Sequence, residues 1–137
     1  MTPIRIAVVG LGKIARDQHL PSIRASTAFE LVAVASPHSR LEKIPSYDSL
    51  DLLLQAHLDV QAVALCMPPQ ARAAVARVAL RRGCHVLLEK PPGTSIAEVE
   101  ELSRLAGERR LTLFASWHSR HGCAVEPART WLERTCI

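Results

Sequence analysis

The sequence predicts an α/β fold built on a doubly wound, parallel sheet, and three observations carry that prediction. Short apolar runs alternate with longer amphipathic or Ala-rich segments along the whole chain. The apolar runs are rich in Ala, Val and Leu, and read as strands buried on both faces. A glycine turn, Gly10-Leu11-Gly12-Lys13-Ile14-Ala15, closes the first run and opens a helix. With 137 residues, 48% apolar and 4% aromatic, the chain suits one domain with an aliphatic core.

The elements follow in order. Ile4 to Val9 is a strand that ends in glycine. Lys13 to about Ala25 is a helix that Pro21 breaks or kinks, because proline lacks an N–H and crowds the preceding turn. Glu30 to Ala35 is a second strand. The stretch Ser36 to Tyr47, with Pro37 and Pro45, is too short and punctuated for a full crossover helix, although one turn would fit. Asp48 to His57 is a helix whose start Asp48 can cap. Val60 to Cys66 is a third strand, closed by Pro68-Pro69. Gln70 to Arg82 is an Ala-rich helix ended by Gly83. His85 to Leu88 is a fourth strand, followed by the rigid loop Glu89-Lys90-Pro91-Pro92-Gly93. Ser95 to Arg109 is a helix in which Ser95 and Glu98 have capping-box spacing. Leu111 to Ser116 is a fifth strand, and Ala124 to about Arg134 starts another helix. This alternation implies right-handed crossovers and a ligand crevice at the carboxyl edge of the sheet.

The glycine turn has a chemical reason at each position. Gly10 allows a tight turn, and Gly12 lets a pyrophosphate approach the backbone. The small Ala15 lets helix and strand pack closely, and the helix N-terminus, near Lys13 and Ile14, offers free N–H groups to an anion. These features define a Rossmann-type dinucleotide site. The residue that reads the adenosine ribose in NAD-specific proteins is an acid at the end of the second strand. Ser36-Pro37-His38-Ser39-Arg40 holds none, and Ser36, His38 and Arg40 can bind a 2′-phosphate. NADP, or both NADP and NAD, is therefore the expected cofactor. In Glu89-Lys90-Pro91, the lysine stands at the ligand edge with little freedom and could shuttle a proton. On the triplet alone, a catalytic and a structural loop stay equally open.

The net charge is +4, with Arg72, Arg77, Arg81 and Arg82 on one helix. Without interleaved aromatics this reads as a solvated helix face, not a nucleic-acid surface. No run of 18 apolar residues exists, so no membrane partner is expected. The start leads straight into a strand, and Cys66, Cys84, Cys123 and Cys136 form no CxxC pair. They read as reduced thiols of a cytoplasmic protein. His118, His121 and Cys123 are too loosely spaced for a metal site and lack a fourth ligand. His19 and His85 sit at element ends and read as structural hydrogen-bonding residues, and Trp131 as packing against the sheet or a further domain.

The glycine turn, the strand ending in Cys66-Met67-Pro68-Pro69, and the run Gly83-Cys84-His85-Val86-Leu87-Leu88-Glu89-Lys90-Pro91 together resemble the glucose–fructose oxidoreductase/inositol dehydrogenase/MocA family. Gly12 to Pro21, Glu89 to Gly93 and Leu113 to Arg120 are similar to its bacterial members that oxidise L-arabinose or D-galactose at C1. The resemblance implies hydride transfer from an aldose to NAD(P)+, giving a lactone. It also implies a cofactor site at Gly10, Gly12, Lys13, Ile14, Ser36, His38, Arg40, Cys66, Pro68, Pro69, Glu89 and Lys90. Lys90 matches a lysine that contacts substrate and moves a proton, and His118 a position near the sugar. Residues 1–120 are then the cofactor domain, and 121–137 begin the connection to an α+β substrate domain beyond this chain. Such a second domain often forms a homo-oligomer interface. A non-catalytic sensor or regulator, or an inactive truncated product, are the competing readings. Lys90 and His118 favour the enzyme, since a sensor needs neither.

Overall fold

Alternation along the strands builds two apolar faces. In β1 (Ile4–Val9), Ile6 and Val8 point to one side, and Ala7 and Val9 to the other. The computed structural model describes residues 2–135; Met1, Cys136 and Ile137 lie outside them, and with Cys136 the thiol expected there. After β1, a helical segment runs through a π turn, Ala15–His19, into α1 (Leu20–Ala25). Next come β2 (Phe29–Ala35), β3 (Ser46–Tyr47), α2 (Leu50–Ala56), β4 (Ala62–Leu65) and α3 (Pro69–Arg81). The chain continues through β5 (His85–Leu88), α4 (Ile96–Glu108), β6 (Leu113–Ala115), a 3₁₀ turn (His118–His121) and α5 (Val125–Arg134).

The six strands are all parallel, in the order β3-β2-β1-β4-β5-β6. One face carries the first helix, with its fully buried Ala15, over Ile6, Val8, Val34 and Ala64. The other packs Ala7, Val9, Ala33, Val63, Leu65 and Leu88 against helix residues that include Leu53, Leu80 and Leu102. On α3, Ala73, Ala76 and Ala79 repeat every three residues and are at most 3% exposed, so small side chains let that helix sit close.

Several boundaries depart from the sequence reading. A sixth strand, β3, adds to the five expected. Val34 N–H donates to Pro45 O at 2.9 Å and Ser36 N–H to Tyr47 O at 2.8 Å, which satisfies the outer edge of β2. Two residues are too few to show a period. Ser49, not Asp48, caps α2: its Oγ accepts from Leu52 N–H at 3.3 Å. The capping box at α4 is half formed. Ser95 Oγ accepts from Glu98 N–H at 3.2 Å, while the Glu98 carboxylate accepts from Thr94 N–H at 2.8 Å. The predicted break at Pro21 takes the form of the π turn, in which Leu20 N–H reaches Ala15 O. Trp131 does not pack on the sheet; it is 60% exposed, and no residue of α5 is buried.

Candidate functional site

The crevice opens where β1 meets its two neighbours. The chain leaves β1 for β2 and β3 on one side, then crosses back through α2 to place β4 on the other. Gly10 turns the chain there with φ +89° and donates its N–H to Ala35 O at 2.8 Å. A Cβ at this position would lie 2.7 Å from Met67 N, so glycine is what lets the two turns touch. Gly12 is different: a Cβ there would meet nothing within 4 Å. The protein's own packing does not need that glycine; the open space does. The N–H groups of the following first helical turn have no partner within the helix.

Three clefts share walls along this edge. Gly10, Ala35, Pro37, Asp48, Asp51 and Met67 border one of about 300 Å³. Gly12, Lys13, Ile14, Cys66, Met67, Pro68, Arg72, Glu89 and Lys90 border the next, of about 370 Å³. Ile14, Gln18, His19, Ser22, Glu89, Lys90, Ser116 and His118 border the third, of about 460 Å³. Met67 joins the first cleft to the second; Ile14, Glu89 and Lys90 join the second to the third. Lys90 thus stands on the wall between the glycine turn and the cleft that holds His118.

Most expected positions fall on this path. Lys13 is exposed and pairs with Asp17, whose hydrogen bond raises its pKa. Cys66 borders the middle cleft, but burial pushes its thiol up to about 12, so it stays protonated and inert at neutral pH. Pro69 is not on a cleft wall; as first residue of α3 it needs no N–H partner. Ser36 is buried at the end of β2, His38 is exposed beyond it, and Arg40 folds back onto Ser36 O at 2.6 Å.

Three residues matter more than the sequence reading allowed. His19 makes the hydrogen bond expected of it, and makes it at the site: its Nε2 donates to Glu89 Oε1 at 2.7 Å, on the wall that also carries Lys90. Burial pushes the Glu89 carboxyl up, but hydrogen bonds from His19 and Ser116, the His19 charge and Lys90 N–H outweigh it and hold the pKa below the usual value. The stabilisation from that carboxylate is present above the ordinary carboxylate range and is lost as pH falls through the depressed pKa. Asp48 pairs with Arg40 beside the first cleft. Arg72 departs from the solvated-face reading, being 2% exposed, whereas Arg81 and Arg82 at the end of the same helix are exposed. Its guanidinium donates to Met67 O at 2.6 Å and to the carbonyls of Glu89 and Pro91. One side chain thereby ties the turn after β4 to the loop after β5. Arg72→Met should lower stability by about 3 kcal/mol, since three carbonyls lose a charged donor. Urea denaturation measures it; a loss below about 0.5 kcal/mol would show that water replaces the guanidinium without cost.

A parallel sheet with a glycine turn at its switch point defines a Rossmann-type, dinucleotide-binding domain. The chain belongs to the oxidoreductase family with an NAD-binding Rossmann fold, whose family model matches residues 4–116. It is 46% identical over 98 residues to galactose 1-dehydrogenase of Pseudomonas fluorescens, covering 72% of this chain and 32% of that enzyme. The crystal structure of D-galactose-1-dehydrogenase from Rhizobium etli matches with TM-score 0.94 and 51% identity, over 100% of this chain and 44% of that one. KijD10, a 3-ketoreductase from Actinomadura kijaniata solved with TDP-benzene and NADP, matches with TM-score 0.86 and 30% identity, over 98% and 45%. The chain therefore spans less than half the length of these relatives. Among the described residues, no helix is long and apolar enough to cross a membrane.

Proposed function

We propose that the chain is the cofactor-binding portion of an NAD(P)-dependent aldose 1-dehydrogenase that converts L-arabinose or D-galactose to its lactone. The observation that carries this reading is the place of Lys90, on the wall shared by the glycine-turn cleft and the cleft with His118. A nicotinamide held here would supply the hydride acceptor for C1 of the sugar, and Lys90 would take the C1 hydroxyl proton. His118 orients a second hydroxyl. Gly10, Gly12, Lys13 and Ile14 hold the pyrophosphate; Cys66, Pro68, Glu89 and Lys90 flank the nicotinamide ribose. Pro69 serves by starting α3. Ser36, His38 and Arg40 take the adenosine end.

Residues 1–120 form the cofactor domain in this proposal, and 121–137 begin the connection to a substrate domain. The exposure of Phe114, Trp117, Trp131 and Leu132 supports such a partner domain. Free thiols at Cys66, Cys84 and Cys123 fit a reducing, cytoplasmic setting. In the full-length enzyme that second domain would supply a homo-oligomer interface.

Calorimetric titration of the chain with NADP+ and NAD+ tests the cofactor half of this reading. Both should bind, NADP+ at least as tightly, because no acid ends β2. A folded chain that binds neither removes the dinucleotide assignment.

A further inference from the structure

We infer that Asp48 sets how the chain divides between NAD+ and NADP+, by competing with a 2′-phosphate for Arg40. The inference rests on the dinucleotide reading above.

The end of β2 lacks an acid of its own, but the fold brings one in. Ala35 pairs with Tyr47 across β2 and β3, and Ser36 N–H donates to Tyr47 O at 2.8 Å. Asp48 is the next residue, so the edge strand delivers a carboxylate beside the end of β2. Arg40 reaches the same place by folding back. Its Nη1 donates to Ser36 O at 2.6 Å and Ser39 O at 3.0 Å, and its Nη2 donates to Asp48 Oδ1. Asp48 lines the glycine turn's first cleft with Gly10, Ala35 and Pro37, and Arg40 is joined to that wall through its bond to Asp48.

This arrangement gives one guanidinium two claimants. The backbone bonds to Ser36 O and Ser39 O hold Arg40 in place whatever its other contact. A ribose with free hydroxyls donates to Asp48 and leaves the pair intact. A 2′-phosphate is attracted by Arg40 and repelled by Asp48, so it must displace the carboxylate. The two side chains are 50% and 63% exposed, so water screens the pair and the exchange stays within reach of a bound phosphate. Asp48 also stands outside the α2 cap, which belongs to Ser49, so replacing it leaves that helix start unaltered.

The test is titration of wild type, Asp48→Asn and Arg40→Ala with NAD+ and with NADP+, at low and high salt. Asp48→Asn should raise the preference for NADP+ by about fivefold or more, the scale of one half-exposed charge contact. The gain should shrink as salt rises, because it is electrostatic. Arg40→Ala should move the preference the other way. An unchanged ratio in Asp48→Asn, with both cofactors still bound, overturns the role of Asp48 and leaves the dinucleotide site standing. A folded wild-type chain that binds neither cofactor overturns both.

Discussion

Gly12→Val should leave the fold intact and abolish dinucleotide binding. Space decides both halves of that expectation. A Cβ on Gly12 would meet no atom of a more distant residue within 4 Å, so a side chain there projects into open space. It would instead stand where a pyrophosphate must approach the backbone. Gly10 offers the contrast. With φ +89° and Met67 N 2.7 Å from a modest Cβ, Gly10→Ala should damage the fold itself. Circular dichroism and calorimetry separate the two. The Gly12 variant should keep its spectrum, with Kd for NADP+ weakened beyond about 1 mM. A folded Gly12→Val chain with normal binding would show that the glycine turn is not the site.

Turnover should need the other wall of the sugar site. Lys90 and His118 supply one side of a cleft of about 460 Å³, and hydride transfer needs the reacting carbon held from more than one side. The chain alone should therefore form no NADH or NADPH with L-arabinose or D-galactose. Fused after Arg134 to the corresponding second half of Pseudomonas fluorescens galactose 1-dehydrogenase, it should gain activity. Lys90→Ala in that fusion should cut the maximal rate by about 10²–10⁴-fold, the range for a general acid–base group. Appreciable turnover by the 137-residue chain would refute the need for a second wall. Full activity in the Lys90→Ala fusion would leave Lys90 a loop residue.

The parts legible in sequence were those written in local pattern. Ile4–Val9 and His85–Leu88 match their predicted bounds because glycine and proline punctuate them. The glycine turn and the Glu89-Lys90-Pro91 loop were readable for the same reason. What escaped depends on contacts between distant segments. His19 lies within the stretch that carried the family resemblance, but its partner Glu89 is 70 positions away. Arg72 looks solvated on an arginine-rich helix; only the folded chain shows three carbonyls converging on it. β3 and the acid it brings to β2 depend on pairing across a proline-broken connection, where neither period nor cap points to a strand. Of the two places read for Trp131, the sheet is excluded, since the residue is 60% exposed on α5; packing on a further domain stays open.

The contact between Gly10 and the turn at Met67, with the Arg72 clasp behind it, has a kinetic meaning. The loops after β1, β4 and β5 are tied to one another by the protein's own contacts. A visiting dinucleotide meets a cradle whose shape is largely set, and little chain entropy remains to be lost on capture. Association through such a cradle runs at the pace of diffusion and orientation. Differences in affinity between cofactors are then expressed in how long each one stays.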